Sequence, residues 1–223
     1  MLASTPAPRP RLLPAAAVLP ALPPSVPRQG HPPWLRSLGR ATLRALGWRF
    51  VGGFADAPRQ VAIGAPHTSN WDGLVGLAAV AACDIGVKVF AKRQLFWGPL
   101  GWALRAFGGV PVDRDAPGGM VGRAVEVLGR GRQIVAITPE GTRGAVPRWK
   151  TGFHRIAVAA GVPVAVVAID WGRREIGVKG TVVPSGDLDA DLAAIGDLLA
   201  GVEGRHPDRA TLPAPNGLRV VER

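Results

Sequence analysis

Short apolar runs alternate with amphipathic stretches along most of this chain. "QVAIGA" (60–65), "VKVFA" (87–91), "VPV" (110–112), "QIVAIT" (133–138) and "VPVAVVAID" (162–170) read as strands, being short and rich in Val and Ile. "REIGVKGTVV" (174–183) reads as a later strand or hairpin. Residues 72–83, 96–107, 118–130 and 151–160 carry helical patterns between them. Residues 187–203 form a last helix that begins with acids, which suits the positive end of its dipole. Apolar strands alternating with helices predict an α/β fold: one domain, a mixed, mostly parallel sheet and helices on both faces.

Upstream of the first strand, "WLRSLGRATLRALGWRF" (34–50) reads as an amphipathic helix. Arg36, Arg40 and Arg44 recur every four residues as a basic stripe, with Leu35, Leu38, Thr42 and Ala45 on one flank. Two readings fit: a helix packed on the domain with a solvated arginine face, or one lying among lipid headgroups with tryptophans at the interface. Ten of the 22 prolines fall in residues 1–33, a Pro/Ala-rich leader expected to be disordered. The packed domain is expected over 34–205, and 206–223 as a C-terminal tail.

Charge adds a partner class. The net charge is +11, with 23 Arg against 4 Lys. Residues 1–55 hold seven arginines and no acid, while 56–181 carry +7 and 182–223 carry −3. Such a balance calls for an anionic partner. No zinc finger, basic zipper or RNA-recognition signature accompanies it, so nucleic acid is not expected. One cysteine, Cys83, excludes an internal disulfide framework and a CxxC metal site. No run reaches the ~18 uninterrupted apolar residues of a membrane span, and prolines break the leader's apolar stretch. An intracellular protein is expected, one that could still lie on a membrane.

Candidate chemistry sits where strands give way to helices. "PHTSNWDGL" (66–74) places His67 and Asp72 five positions apart across such a turn. A carboxylate on one imidazole nitrogen fixes the tautomer and leaves the other as a base. Alternatively, Ser69, Asn70 or Asp72 caps the following helix and His67 is a polar loop residue. In "ITPEGTRGAVPRWKTGFH" (137–154), Gly141 permits a tight turn, and Arg143 and Lys150 offer cations for a phosphate. Glu140 could orient Arg143 or a substrate hydroxyl, or form an ordinary charged turn. "GGVPVDR" (108–114) ends on Arg114. There is no P-loop, no dinucleotide fingerprint and no G-x-S-x-G elbow, and the four histidines lack metal-ligand spacing.

In order, "HTSNWD", "GGVPVDR", "PEGTR" and "VPVAVV" resemble the four blocks of the glycerolipid acyltransferases, which include the 1-acyl-glycerol-3-phosphate acyltransferases. The likeness spans residues 60–170. It implies that His67 is a general base oriented by Asp72. It also implies that Arg114, Glu140, Gly141, Thr142 and Arg143 bind the phosphate and glycerol part of the acceptor, with Lys150 nearby. The implied reaction moves an acyl group from acyl-CoA or acyl-carrier protein, as substrate, to a lysophospholipid hydroxyl, with no cofactor and no metal. The implied fold is glycerol-3-phosphate acyltransferase-like, with 34–50 as a membrane-surface helix and a peripheral place on the cytoplasmic face of the cell membrane. Pro66, Pro111 and Gly144 stand where the family often has Asn, an aromatic and Ser. The forms "PHTSNWD" and "VPRWKTGF" resemble a less characterised bacterial branch. A lyso-aminolipid acceptor, or a non-catalytic lipid- or anion-binding role, is the alternative.

Overall fold

The computed structural model describes residues 22–112, 119–214 and 217–220. Seven strands form one sheet in the order β1 (Arg49–Gly52), β7 (Glu175–Val182), β6 (Val164–Asp170), β2 (Arg59–Ala65), β5 (Gln133–Ile137), β3 (Val87–Lys92), β4 (Gly109–Val112). From β6 to β4 every pairing is parallel. β7 turns back antiparallel on β6, and β1 runs parallel to β7. The helices are α1 (Pro33–Ala45), α2 (Asn70–Cys83), α3 (Gly98–Ala106), α4 (Gly119–Gly129), α5 (Gly152–Ala160) and α6 (Leu188–Leu198).

Topology sorts the helices into two layers. The steps β2 to β3 and β3 to β4 move one way across the sheet, while β4 to β5 and β5 to β6 move back. Right-handed crossovers therefore set α2 and α3 on one face and α4 and α5 on the other. The central strands alternate accordingly. Ala62, Ala165 and Ile169 pack with Leu43, Val75 and Ala82 on the first side. Val61, Ile63, Val164 and Val166 pack with Leu128, Phe153, Ile156 and Leu199 on the second.

α1 lies against α2 through Gly39. A Cβ there would sit 2.6 Å from the Ala78 carbonyl oxygen and 2.8 Å from the Ala82 nitrogen, so the two backbones touch. The helix is shorter than the expected 34–50. Gly47 takes φ +71 and Trp48 N–H bonds back to the Leu43 carbonyl, closing the helix. Arg49–Gly52 then forms β1, with Trp48 and Phe50 buried in the core. Apolar residues spaced for a helix face thus serve a turn and an edge strand.

The packed unit also reaches beyond the expected 34–205. Residues 22–33 are laid against the domain: Leu22 and Val26 are buried, and Arg28 bridges to Ile85. His31 N–H donates to Asp84 at 2.7 Å. The prolines that suggested disorder keep this segment out of a helix; it turns where the Val26 amide donates to the Pro23 carbonyl and then follows the surface. At the other end, β8 (Thr211–Ala214) and β9 (Gly217–Val220) form a hairpin where a tail was expected. Thr211 is buried, accepting the Val146 amide and taking the Trp149 indole on its carbonyl at 2.6 Å.

Candidate active site

The register of β2 and β5 brings the two main sequence clusters together. Ile63 lies opposite Ile137, so the chains leave the sheet side by side, and His67 and Glu140 follow within four residues. Ligands in open α/β sheets gather at these carboxyl ends.

Ser69 caps α2: its hydroxyl accepts the Trp71 amide, while the Asp72 carboxylate reaches back to the Ser69 amide. Such a box is worth about 1 kcal/mol to the helix. The same carboxylate serves the histidine. Asp72 Oδ2 accepts the Thr68 and Ser69 amides, each at 2.8 Å, and lies 3.2 Å from His67 Nδ1. The capping and catalytic readings of this stretch therefore describe one geometry. The imidazole contact is close but not aligned as a full hydrogen bond. With Nδ1 buried against Asp72, Nε2 is the nitrogen left for a substrate; the side chain keeps 20% of its surface exposed.

Burial on its own would raise the Asp72 pKa. The close His67 ring, together with hydrogen bonds from Trp171, Ser69 and Thr68, outweighs it and holds the carboxyl below the ordinary range. Asp72 is an anion locked in place, fit to orient an imidazole.

Glu140 differs from its expected place among substrate-contacting residues. It is 1% exposed, and its Oε2 accepts the His67 amide at 2.6 Å. It supports the histidine loop from beneath, and it does not pair with Arg143. Burial pushes its carboxyl up to about 7, against the pull of that amide. Gly141, Thr142, Arg143 and Lys150 are all exposed around the turn above it. Gly141 has φ +67, and a Cβ there would meet Lys150 Nζ at 2.8 Å, so the lysine side chain lies over the glycine. The Lys150 amide is tied to the Pro139 carbonyl at 2.9 Å. Arg143 bonds the Asn70 side chain at the first turn of α2, which joins the two clusters across the site. Arg114 lies outside the described residues. Among the described residues, no group of three or more His, Cys, Asp and Glu could hold a metal ion.

Several contributors carried no motif signal. Trp171, just past β6, donates its indole N–H to Asp72 Oδ1 at 2.7 Å. Arg205 stacks over the rings of both Trp171 and Trp71, at 4.6 and 5.2 Å. Gly204 closes on Thr68, and the His206 amide donates to the Thr68 hydroxyl at 3.2 Å. The available hint was position: Trp171 follows a central strand at the end where ligands gather.

Comparison with solved structures finds the 1-acyl-sn-glycerophosphate (LPA) acyltransferase PlsC from Thermotoga maritima. The two are 22% identical, with a TM-score of 0.52 over 77% of this chain and 80% of that one, a likeness of fold. No curated protein matches the chain. Residues 55–170, which run from the approach to β2 through the end of β6 and so contain both clusters, match the family model described as Acyltransferase, and the chain belongs to that family.

Proposed function

We propose that this chain transfers a fatty acyl group from acyl-CoA or acyl-carrier protein to the free hydroxyl of a lysophospholipid, with 1-acyl-glycerol-3-phosphate as acceptor and phosphatidate as product. The observation that carries it is the His67–Asp72 pair with Arg143 and Lys150 around it, at the ends of adjacent strands. A base for a hydroxyl and cations for a phosphate are what a phosphorylated alcohol acceptor requires.

His67 Nε2 takes the acceptor hydroxyl proton as the oxygen attacks the thioester carbonyl. The tetrahedral oxyanion collapses, breaking the carbon–sulfur bond, and the departing thiolate takes the proton from the imidazolium. The products are an ester and a free thiol, with no acyl-enzyme. Asp72 keeps Nδ1 oriented and offsets the imidazolium charge. Gly141, Thr142, Arg143, Lys150 and Arg114 hold the glycerol phosphate, and Glu140 holds the histidine loop.

Among the described residues no helix is long and apolar enough to cross a membrane. The reading places the protein peripherally on the cytoplasmic face of the cell membrane. α1 supports this, since Trp34 and Leu38 are exposed beside its arginines.

The test is thiol release from acyl-CoA with a panel of acceptors: lysophosphatidate, uncharged monoacylglycerol and a lyso-aminolipid. Lysophosphatidate is expected to react fastest, and His67→Ala to slow it about 10²–10⁴-fold. Vesicle binding without turnover on any acceptor would instead mark a non-catalytic binding protein.

A further inference from the structure

Eleven large apolar side chains are exposed among the described residues, and seven of them sit on or directly beside the α1–α2–α3 layer: Trp34, Leu38, Trp71, Leu74, Leu77, Trp97 and Trp102. On α1, Trp34, Leu38, Ala41 and Ala45 recur at helical spacing as one exposed stripe, away from the buried Gly39 and Leu43. Leu74 and Leu77 lie on the open face of α2, away from its buried Val75 and Ala79. Trp97, at the start of α3, and Trp102, one turn later, are 76% and 73% exposed. Indole rings left this bare in water are costly unless something covers them.

The layer also has a charge pattern. Helix α1 carries Arg36, Arg40 and Arg44 and no acid. Residues 85–112 hold four basic residues and no acid. The acids of α2 and its cap are engaged inward, Asp72 in the site and Asp84 with His31. Within the layer, α3 and the start of α1 are tied together: Gln29 donates to the Ala106 carbonyl, and His31 packs on Phe107 at 5.3 Å.

We infer that α1, α2 and α3 together form one docking face for an anionic lipid bilayer, with Trp97 and Trp102 of α3 entering the interface alongside Trp34 and Leu38 of α1. Tryptophans with basic neighbours and no acids match the polar–apolar boundary of an anionic membrane. Because Asp72 lies in the first turn of α2, a bilayer on this face meets the site at one end of the same helix, within reach of a single-chain lipid. This inference rests on the peripheral-membrane reading above and adds α3 to it.

The test pairs vesicle sedimentation with turnover. Vesicles of phosphatidylglycerol with phosphatidylcholine, and of phosphatidylcholine alone, are mixed with the full chain and two double variants: Trp97→Ser/Trp102→Ser and Trp34→Ser/Leu38→Ser. Thermal unfolding checks that each variant folds. Both are expected to bind the anionic vesicles at least about tenfold more weakly than wild type. Thiol release with a short-chain acceptor dissolved as monomers should stay within about twofold, since all four side chains are exposed and none is a bonding partner of His67, Asp72 or Glu140. If wild type binds and the α3 variant binds equally well, α1 docks alone and the inference is overturned. If wild type binds no vesicles, the peripheral-membrane reading falls with it, while dissolved-acceptor turnover judges the catalytic reading separately. A dimer in solution that the Trp97/Trp102 substitutions dissolve would assign the face to a second copy of the chain and overturn the bilayer.

Discussion

Trp171 and Asp72, 99 positions apart in sequence, meet through an indole N–H donated to a carboxylate at 2.7 Å. That bond uses Oδ1, while the amides of Thr68 and Ser69 and the His67 ring use Oδ2. Trp171 also meets Trp48 edge-on at 4.9 Å, so the indole braces the carboxylate against the core beneath α1. The anion that orients His67 is thus held from two directions, by its own helix cap and by the strand beyond.

Trp171→Phe removes that donor and keeps much of the ring. A hydrogen bond to a charged group is worth about 1.5–3 kcal/mol, and a loss in that range is expected in urea unfolding at neutral pH. Asp72 has a lowered folded pKa, so the stability it contributes is present above the ordinary carboxylate range and lost as pH falls through its folded value. The gap between wild type and variant should therefore shrink in acid, where the group is protonated in both. The acid limb of kcat/KM should move up in pH. A gap independent of pH would mean that Trp171 contributes packing alone.

Glu140→Gln separates the carboxylate charge from its hydrogen bond. The amide oxygen can still accept from the His67 N–H, but it does not titrate. In wild type the folded pKa is raised from 4.5 to about 7, so the folded state holds a proton the unfolded state has released. Wild-type stability is then expected to fall as pH rises through roughly 4.5 to 7, and the Gln variant should lack that slope. Melting temperatures across this window check it. Glu140→Ala leaves the His67 amide without its acceptor and should cost activity that Gln retains.

Much of this fold was legible because its central strands, β2 and β6, are buried on both sides. Runs such as 162–170 leave little choice but a central strand, and each helix between them fills a crossover. The ends were harder. Gly47 stops α1, yet Trp48 and Phe50 continue its apolar spacing, and periodicity alone cannot separate a helix turn from a short edge strand. Leu22 and Val26 anchor a proline-rich segment whose composition suggests disorder. In the site, His67, Asp72, Arg143 and Lys150 were visible as residue types at turns. Glu140 was visible, but its position below the loop was not, since a turn glutamate looks the same in sequence whether it faces solvent or core. Trp171 and Arg205 arrive only through tertiary packing.

Gly141→Ala tests the phosphate side. The left-handed backbone there disfavours a side chain by about 1–2 kcal/mol, and the new methyl would press on Lys150. The ammonium should move aside. KM for lysophosphatidate is expected to rise several-fold, while KM for an uncharged acceptor changes little. An equal rise for both acceptors would mean that the turn shapes the site without meeting the phosphate.

Gly39→Ala tests the α1–α2 contact. On helix propensity alone the substitution should stabilise by about 0.8–1 kcal/mol. The methyl would stand 2.6 Å from one backbone atom of α2 and 2.8 Å from another, and neither can swing away as a flexible side chain would. Overpacking of that kind costs about 1–3 kcal/mol, so the contact wins and a net loss is expected in urea unfolding. α1 must then lift from α2, tilting the Trp34–Leu38 stripe relative to Leu74 and Leu77. Binding to anionic vesicles should weaken with the loss of stability, while turnover of a dissolved acceptor holds, because His67 and Asp72 are fixed by bonds that do not pass through Gly39. A stabilised protein would show that the two helices part more easily than their backbone contact implies.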